Sequence, residues 1–462
     1  MDRDHTPEQP QRAKASPVAR IELPYPAPAV GWYATFILAF LYWLSVLDRF
    51  IISLLVDPIK TDMGISDVEF GMLHGLAFSI TFPIFGLFAG VLADRFSRRW
   101  VIYLSVTIWS VGTVACGLVQ HFWQLLLARV GVGAGEAGLN PSATSMLTDL
   151  FPRERLTSAM AVYAIGSTVG SGTAFLVGGY IVDLVSEMGS LSAPLLGDLR
   201  PWQSVFLIVG LPGVLLALLI FTLPEPLRRN RRKLLQQNGF WKSGAKSYVE
   251  LIKFMRVRWK FFLPHYLGFG IASMMISGGG VWYPAHMSRT YGWSASEIGL
   301  HLGITLTVVG IVGKLVCGYC VDAINRRGHQ DAQLLWYGSC LLVATPVAIL
   351  AMSSGNPWIF VGGVGVFMFL LAPMVACCFA ALNLVTPNEL RGAGVAFYTA
   401  TAGIAAISAG PILVALVGDT FFAGPSSLGM GLAAVFGVAC PIASMLLFSG
   451  RRAMREAVLG DG

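Results

Sequence analysis

Twelve apolar stretches, most of them 20 residues or longer, leave this chain few ways to fold. They cover 33–56, 67–94, 100–120, 122–150, 157–186, 201–223, 261–289, 295–322, 332–353, 358–386, 391–418 and 427–449. As a helix rising about 1.5 Å per residue, each crosses a hydrocarbon core of ~30 Å. Lipid offers no partner to a backbone N–H or C=O, and a helix satisfies those groups within itself. Composition agrees: 55% of the residues are hydrophobic and 12% charged, against about 25% charged in a soluble globule. The expected fold is an all-α membrane protein with 12 transmembrane helices.

The stretches come in two sets of six. Gly90-Val91-Leu92-Ala93-Asp94-Arg95-Phe96-Ser97-Arg98-Arg99 and Gly318-Tyr319-Cys320-Val321-Asp322-Ala323-Ile324-Asn325-Arg326-Arg327 share the pattern G-x-x-x-D-x-x-x-R-R. Positions 90 and 318 differ by 228, as do 94 and 322, and 98 and 326. Upstream, Ser66, Glu69, Gly71 and Gly75 map at the same offset onto Ser294, Glu297, Gly299 and Gly303. Pro152-Arg153-Glu154 and Tyr163 are echoed by Pro387-Asn388-Glu389 and Tyr398. A chain built of two related halves in a membrane points to a transporter. The divisions are a polar tail (1–30), a first half (31–223), a basic linker (224–260), a second half (261–450) and a short tail (451–462). Within the linker, 240–258 is amphipathic and expected to lie in the interface.

Charge sets the orientation. With both termini on one side, that side holds 26 of the 32 Lys and Arg, eleven of them in the linker, whereas the opposite side holds only Lys60, Arg200 and Arg289. By the positive-inside rule both termini are cytoplasmic, and the net charge of +7 reflects topology rather than affinity for nucleic acid. Residues 1–30 lack the apolar core of a cleaved signal peptide, so the first stretch is read as a signal-anchor. All seven cysteines fall inside apolar stretches, which leaves no disulfide framework. No metal-ligand set, phosphate loop or nucleophile elbow stands out, so neither cofactor nor enzyme is expected.

The 6+6 repeat and the motif at Gly90–Arg99 resemble the major facilitator superfamily, and Arg129-x-x-x-Gly133 resembles its second motif. Within it, Leu47-Asp48-Arg49, Arg129-Val130-Gly131-Val132-Gly133-Ala134-Gly135-Glu136-Ala137 and Phe151-Pro152-Arg153-Glu154-Arg155 resemble the Spinster lipid transporters. The short tails and linker suggest a bacterial homologue. One departure stands: Gly170-Ser171 occupies the place of the Gly-Pro usual in antiporters. The resemblance implies a monomer in the cell (inner) membrane, working by rocker-switch alternating access. It implies proton coupling and a lipid-like or amphiphilic solute, including one with an anionic headgroup. The alternatives are a proton-linked drug or organic-anion transporter, or a receptor that keeps the fold without flux.

Five charges lie well inside the stretches, away from their ends: Asp48, Arg49, Arg129, Glu136 and Lys314. Each costs about 2.5–3.5 kcal/mol at a helix centre on insertion scales, so each is expected to pair or to work. Arg129 and Glu136, seven residues apart, share one helix face. Burial penalises a charged carboxyl and a guanidinium favours it; Asp48 is therefore read as the proton carrier, with Arg49, Arg129 and Glu136 as switching partners. A static ion-pair network is the alternative. Arg129 and Lys314, one in each half, are expected to hold a headgroup beside an apolar wall that includes Tyr266, Met275 and Trp282. In the motif, Gly90, Asp94, Arg95 and Arg98 are expected to gate the cytoplasmic side. Asp94 would face the start of the eleventh stretch and Arg98 would bridge to Asp149. Asp322 and Arg326 would do the same in the second half.

Overall fold

The computed structural model describes residues 25–193, 197–227, 240–387 and 390–460. The first half contains α1 (Pro28–Phe50), α2 (Val56–Met63), α3 (Asp67–Arg95), α4 (Arg98–Cys116), α5 (Phe122–Glu136), α6 (Leu139–Leu150), α7 (Arg153–Met188) and α8 (Pro201–Leu216). An antiparallel hairpin, β1 (Leu191–Ala193) with β2 (Gly197–Leu199), joins the last two helices. After α9 (Phe240–Val257) come α10 (Trp259–Tyr291), α11 (Ala295–Arg326), α12 (Ala332–Met352), α13 (Pro357–Leu371), α14 (Met374–Val385), α15 (Arg391–Tyr398), a π-turn, α16 (Ile404–Phe421) and α17 (Ser427–Gly460). The basic cluster Arg228–Lys233 and the echo at Asn388-Glu389 lie outside the described residues.

The repeat is built into the helix ends. Ser66 caps α3, its hydroxyl accepting the Glu69 N–H while its own N–H donates to the Glu69 carboxylate. Ser294 and Glu297 do the same at α11. These capping boxes are the structural content of the sequence echo. Gly64 ends α2 with φ 65° and Gly292 ends α10 with φ 68°, again 228 positions apart, in the left-handed region that glycine enters without penalty.

Among the described residues, eleven helical segments are long and apolar enough to cross a membrane. The expected fourth crossing, 122–150, is not among them; it is divided into α5 and α6. Pro141 has no N–H for the carbonyl of Ala137, so the ladder stops at Ala137-Gly138. Pro373 divides α13 from α14 in the same way; positions 137 and 372 differ by 235, as do Pro152 and Pro387. At the C-terminus α17 continues through Gly460, beyond the expected end of the half at 450. Arg451 Nε donates to buried Asp331 at 2.5 Å, and Met454 is buried, which holds these extra turns against the bundle.

The halves meet along two helix pairs, α3 with α16 and α7 with α11. A Cβ placed on Gly71 or Gly75 would lie 3.2 Å from Pro411 or 2.8 Å from Ser408; one on Gly299 or Gly303 would lie 2.2 Å from the Phe175 carbonyl or 2.5 Å from that of Gly172. The repeated glycines thus serve both interfaces, letting backbones touch. These contacts gather toward the membrane face that carries α2 and the 292–295 turn, called here the opposite face. Toward the other, basic face they thin out. Lys314 still reaches Thr168 at 3.0 Å, but Gly86 meets only Ala137 of its own half, and a Cβ on Gly90 or Gly318 would meet nothing within 4 Å. Among the described residues, the bundle is shut at the opposite face and parted at the basic one.

Candidate functional site

Four of the five intramembrane charges assemble around the break between α5 and α6. Arg49 Nε donates to Glu136 at 3.1 Å, and a second guanidinium nitrogen pairs with the same carboxylate oxygen. Arg129 is fully buried and donates to the backbone carbonyls of Asp48 and Arg49, each at 3.4 Å. Asp48 is also fully buried, and among the described residues neither of its oxygens has a well-formed hydrogen bond, the Trp109 indole N–H being a donor beside it. Its electrostatic neighbours are Glu136, Arg129 and the Trp109 indole. The last turn of α1 therefore sends its two charges in different directions. Asp48 points inward to Arg129, and Arg49 points across to Glu136. Arg49, 30% exposed, is the least buried of the four.

Sequence reading missed the aromatic wall that seats the guanidiniums. Phe78 lies 5.0 Å from Arg49 and 5.1 Å from Arg129, ring centroid to guanidinium carbon, and Phe82 lies 5.5 Å from Arg49. Such contacts contribute about 0.5–2 kcal/mol each when partly desolvated. His74, buried on the same face of α3, adds an imidazole within electrostatic reach of both arginines. The signal was present as the four-residue spacing of His74, Phe78 and Phe82, which puts all three on one stripe.

The expected second-half residues stand elsewhere. Lys314 is spent on Thr168 at the α7–α11 contact, and Arg129 faces backbone inside the first half, so this conformation does not bring the two together. Trp282 is sealed, donating to the Pro411 carbonyl at 2.8 Å and packing on Phe70. Met275 is sealed against Cys440. Each fills a helix interface. Tyr266 is half-buried, its hydroxyl donating to the Gly394 carbonyl at 3.2 Å.

Against this geometry stand the relatives. A family model described as Major Facilitator Superfamily matches residues 38–410. The chain belongs to the Major Facilitator Superfamily. An "MFS-type efflux pump" of Mycolicibacterium smegmatis is 30% identical over 88% of this chain and 89% of its own length. "Protein spinster" of Drosophila melanogaster is 26% identical over 68% of this chain and 50% of its own length. The fold is also that of a bacterial homologue of the lysosomal transporter Spinster, solved inward-facing and unoccupied. Its TM-score is 0.77 at 23% identity, covering 94% of this chain and 99% of that one. Membership makes this a multi-pass transporter rather than an enzyme.

The superfamily motif is partly a structural lock within one half. Arg98, at the start of α4, is 1% exposed and ties it to two segments: α6, through Asp149 (2.5 Å) and the Ser145 carbonyl, and the stretch beyond α8, through Glu225 (3.0 Å) and the Pro226 carbonyl. Arg95 is exposed, as are Asp322 and Arg326; Arg326 Nε donates to the Asp322 carbonyl within its own helix. Arg391 caps α14, donating to the carbonyls of Asn383 and Thr386. The Asp94 side chain lies outside the described residues.

Glu225 was not foreseen as a partner of Arg98. Burial pushes its carboxyl up, but hydrogen bonds from Ser97, the Arg99 N–H and Arg98 outweigh this and hold it below the ordinary value of 4.5. A carboxyl held low contributes stability that is present above its unfolded value and is lost as pH falls through its folded one. Thermal unfolding of the detergent-solubilised protein should therefore weaken more steeply below pH ~4.5 than that of Glu225→Gln. Parallel curves would mean that the Arg98 cluster does not depend on this charge.

Proposed function

We propose that this chain is a proton-coupled secondary transporter of an amphiphilic or lipid-like solute, with Asp48 as the proton carrier. The carrying observation is the fully buried Asp48 carboxyl, with no well-formed hydrogen bond to either oxygen among the described residues, one residue from an arginine paired to Glu136. Burial and the guanidinium act on it in opposite senses, so a small movement of Arg129 from backbone carbonyl to carboxylate changes its protonation. Release of Arg49 from Glu136 would carry that change to the space between the halves. Arg129 and Lys314 would then come to an anionic headgroup in another state of the cycle.

In this reading the basic face is cytoplasmic, with both termini inside the cell membrane, and the conformation is open inward. The broken pair α5–α6 crosses as a twelfth span, and the protein works as a monomer. Asp94 closes the cytoplasmic side against the start of α15 when the cycle turns over. A second reading, efflux of a drug or organic anion, draws on the M. smegmatis relative. Proteoliposome flux under an imposed pH gradient tests both, with a lysolipid, a quinolone and a dicarboxylate compared side by side. Gradient-driven movement of the lysolipid alone supports the first reading. Movement of the quinolone or dicarboxylate alone supports the second, and binding without flux leaves a receptor.

A further inference from the structure

The opposite face is held by two residues whose positions the proton site does not explain. Asp183, near the end of α7 in the first half, accepts the N–H of Ala295 at 3.2 Å and of Ser296 at 2.9 Å. These are the first two residues of α11 in the second half. The first N–H groups of a helix have no partner inside it. Ser294, the helix's own cap, takes the N–H of Glu297, and the two before it are taken across the halves. Arg289, at the end of α10, is the second tie. Its Nε donates to Asp57 at 2.8 Å, and Nη1 and Nη2 donate to the two oxygens of Asp67 at 2.7 and 2.8 Å. Asp57 and Asp67 both belong to the first half.

We infer that Asp183 and Arg289 are positioning residues of the transport step, a two-point latch whose release sets how often the opposite face opens. The inference rests on the alternating-access reading. Each tie joins a charge of one half to donors or acceptors of the other, so neither survives separation. Charge-assisted bonds of this kind are about twice as strong as neutral ones. Both sit at the outer end of the interface, beyond the glycine contacts of Gly179 with Ala295 and Gly299 with Phe175. The helices cannot tilt apart without breaking the ties first. The latch is also reversible. Lys60, on α2 in the first half, pairs with Asp67 as well, so Asp67 keeps a cation when Arg289 leaves. Asp419, on α16, lies within electrostatic reach of Asp67, Lys60 and Arg289, and as an acid beside the cations it competes for them.

The test uses spin labels on cysteines placed at Glu187 and Ser426, exposed positions in opposite halves on this face, with Cys320 replaced by Ser. Asp183→Ala should raise the ratio of long to short distances about tenfold, the change that ~1.4 kcal/mol produces. Asp183→Asn should raise it less, because the amide oxygen still accepts an N–H; should the alanine variant fail to fold, this variant carries the test. Arg289→Gln should act in the same direction, and the double variant should exceed either. A role in folding alone would lower thermal stability and leave the ratio unchanged, which would overturn the latch. Flux separates this from the transport reading. Wild-type flux with an unresponsive ratio removes the latch and keeps the transporter; a responsive ratio without flux of any solute does the reverse.

Discussion

Asp48→Asn is expected to abolish gradient-driven accumulation of solute while the protein still folds. The amide has nearly the shape of the carboxyl, and the side chain is fully buried, so packing is preserved. What is lost is the ability to release a proton. One proton per cycle across one pH unit supplies about 1.4 kcal/mol, which sustains roughly tenfold accumulation. The wild type should approach that ratio per proton coupled, and Asp48→Asn should stay at unity. Downhill exchange of solute should continue, because the helices that rock are untouched. The measurement is uptake into proteoliposomes at zero and one pH unit of gradient. Accumulation by Asp48→Asn that still tracks the gradient would move proton coupling elsewhere, with His74 the next candidate among the buried groups beside the arginines.

The contrast between the two halves sharpens that expectation. Arg129 and Glu136 correspond, at the 235-residue offset of the helix breaks, to Val364 and Leu371. Both of these are buried and apolar. The fold was duplicated, but the ionisable network stands only in the first half. A charged cluster needed merely to hold a broken helix together would be needed at both breaks. The second break, between α13 and α14, stands without one. This favours work over packing for Asp48, Arg49, Arg129 and Glu136.

What the sequence made legible follows from the physics of lipid. Apolar length fixes where helices run, and the offset of 228 fixes which helices are equivalent. Charges well inside the stretches are costly unless paired, and four of the five do assemble, while Lys314 rests on Thr168. The Arg49–Glu136 pair and the burial of Asp48 beside Arg129 follow from that. Three things were not legible. The division of 122–150 depends on the single missing N–H of Pro141, which hydropathy does not register. Trp282 and Met275 were chosen by residue type alone, and residue type does not say whether a side chain faces a cavity or a neighbouring helix. The ties at Asp183 and Arg289 lie at helix ends, where sequence shows only isolated charges and the partner is supplied by a helix more than a hundred residues away.

Arg98→Ala should be the most destabilising single change in the motif. It removes an almost fully buried guanidinium and leaves Asp149 and Glu225 facing each other's neighbourhood without their shared cation. Breaking a buried pair from one side costs about 3–5 kcal/mol. Because the two carboxylates are 14% and 24% exposed, water screens part of that loss, and a value near 3 kcal/mol is expected. Arg98→Lys should recover only part of it, since an ammonium cannot reach four acceptors held by a planar fork. The more informative expectation concerns the conformational equilibrium. Every partner of Arg98 lies in the first half or just beyond α8, so its loss should lower thermal stability without shifting distances between the basic-face ends of α6 and α14. Asp94→Asn should do the opposite, moving those distances by a charge–dipole change of about 1–2 kcal/mol with little effect on unfolding. If Arg98→Ala instead shifts the distance distribution and leaves the unfolding curve in place, the arginine belongs to the gate and the division of labour within the motif is reversed.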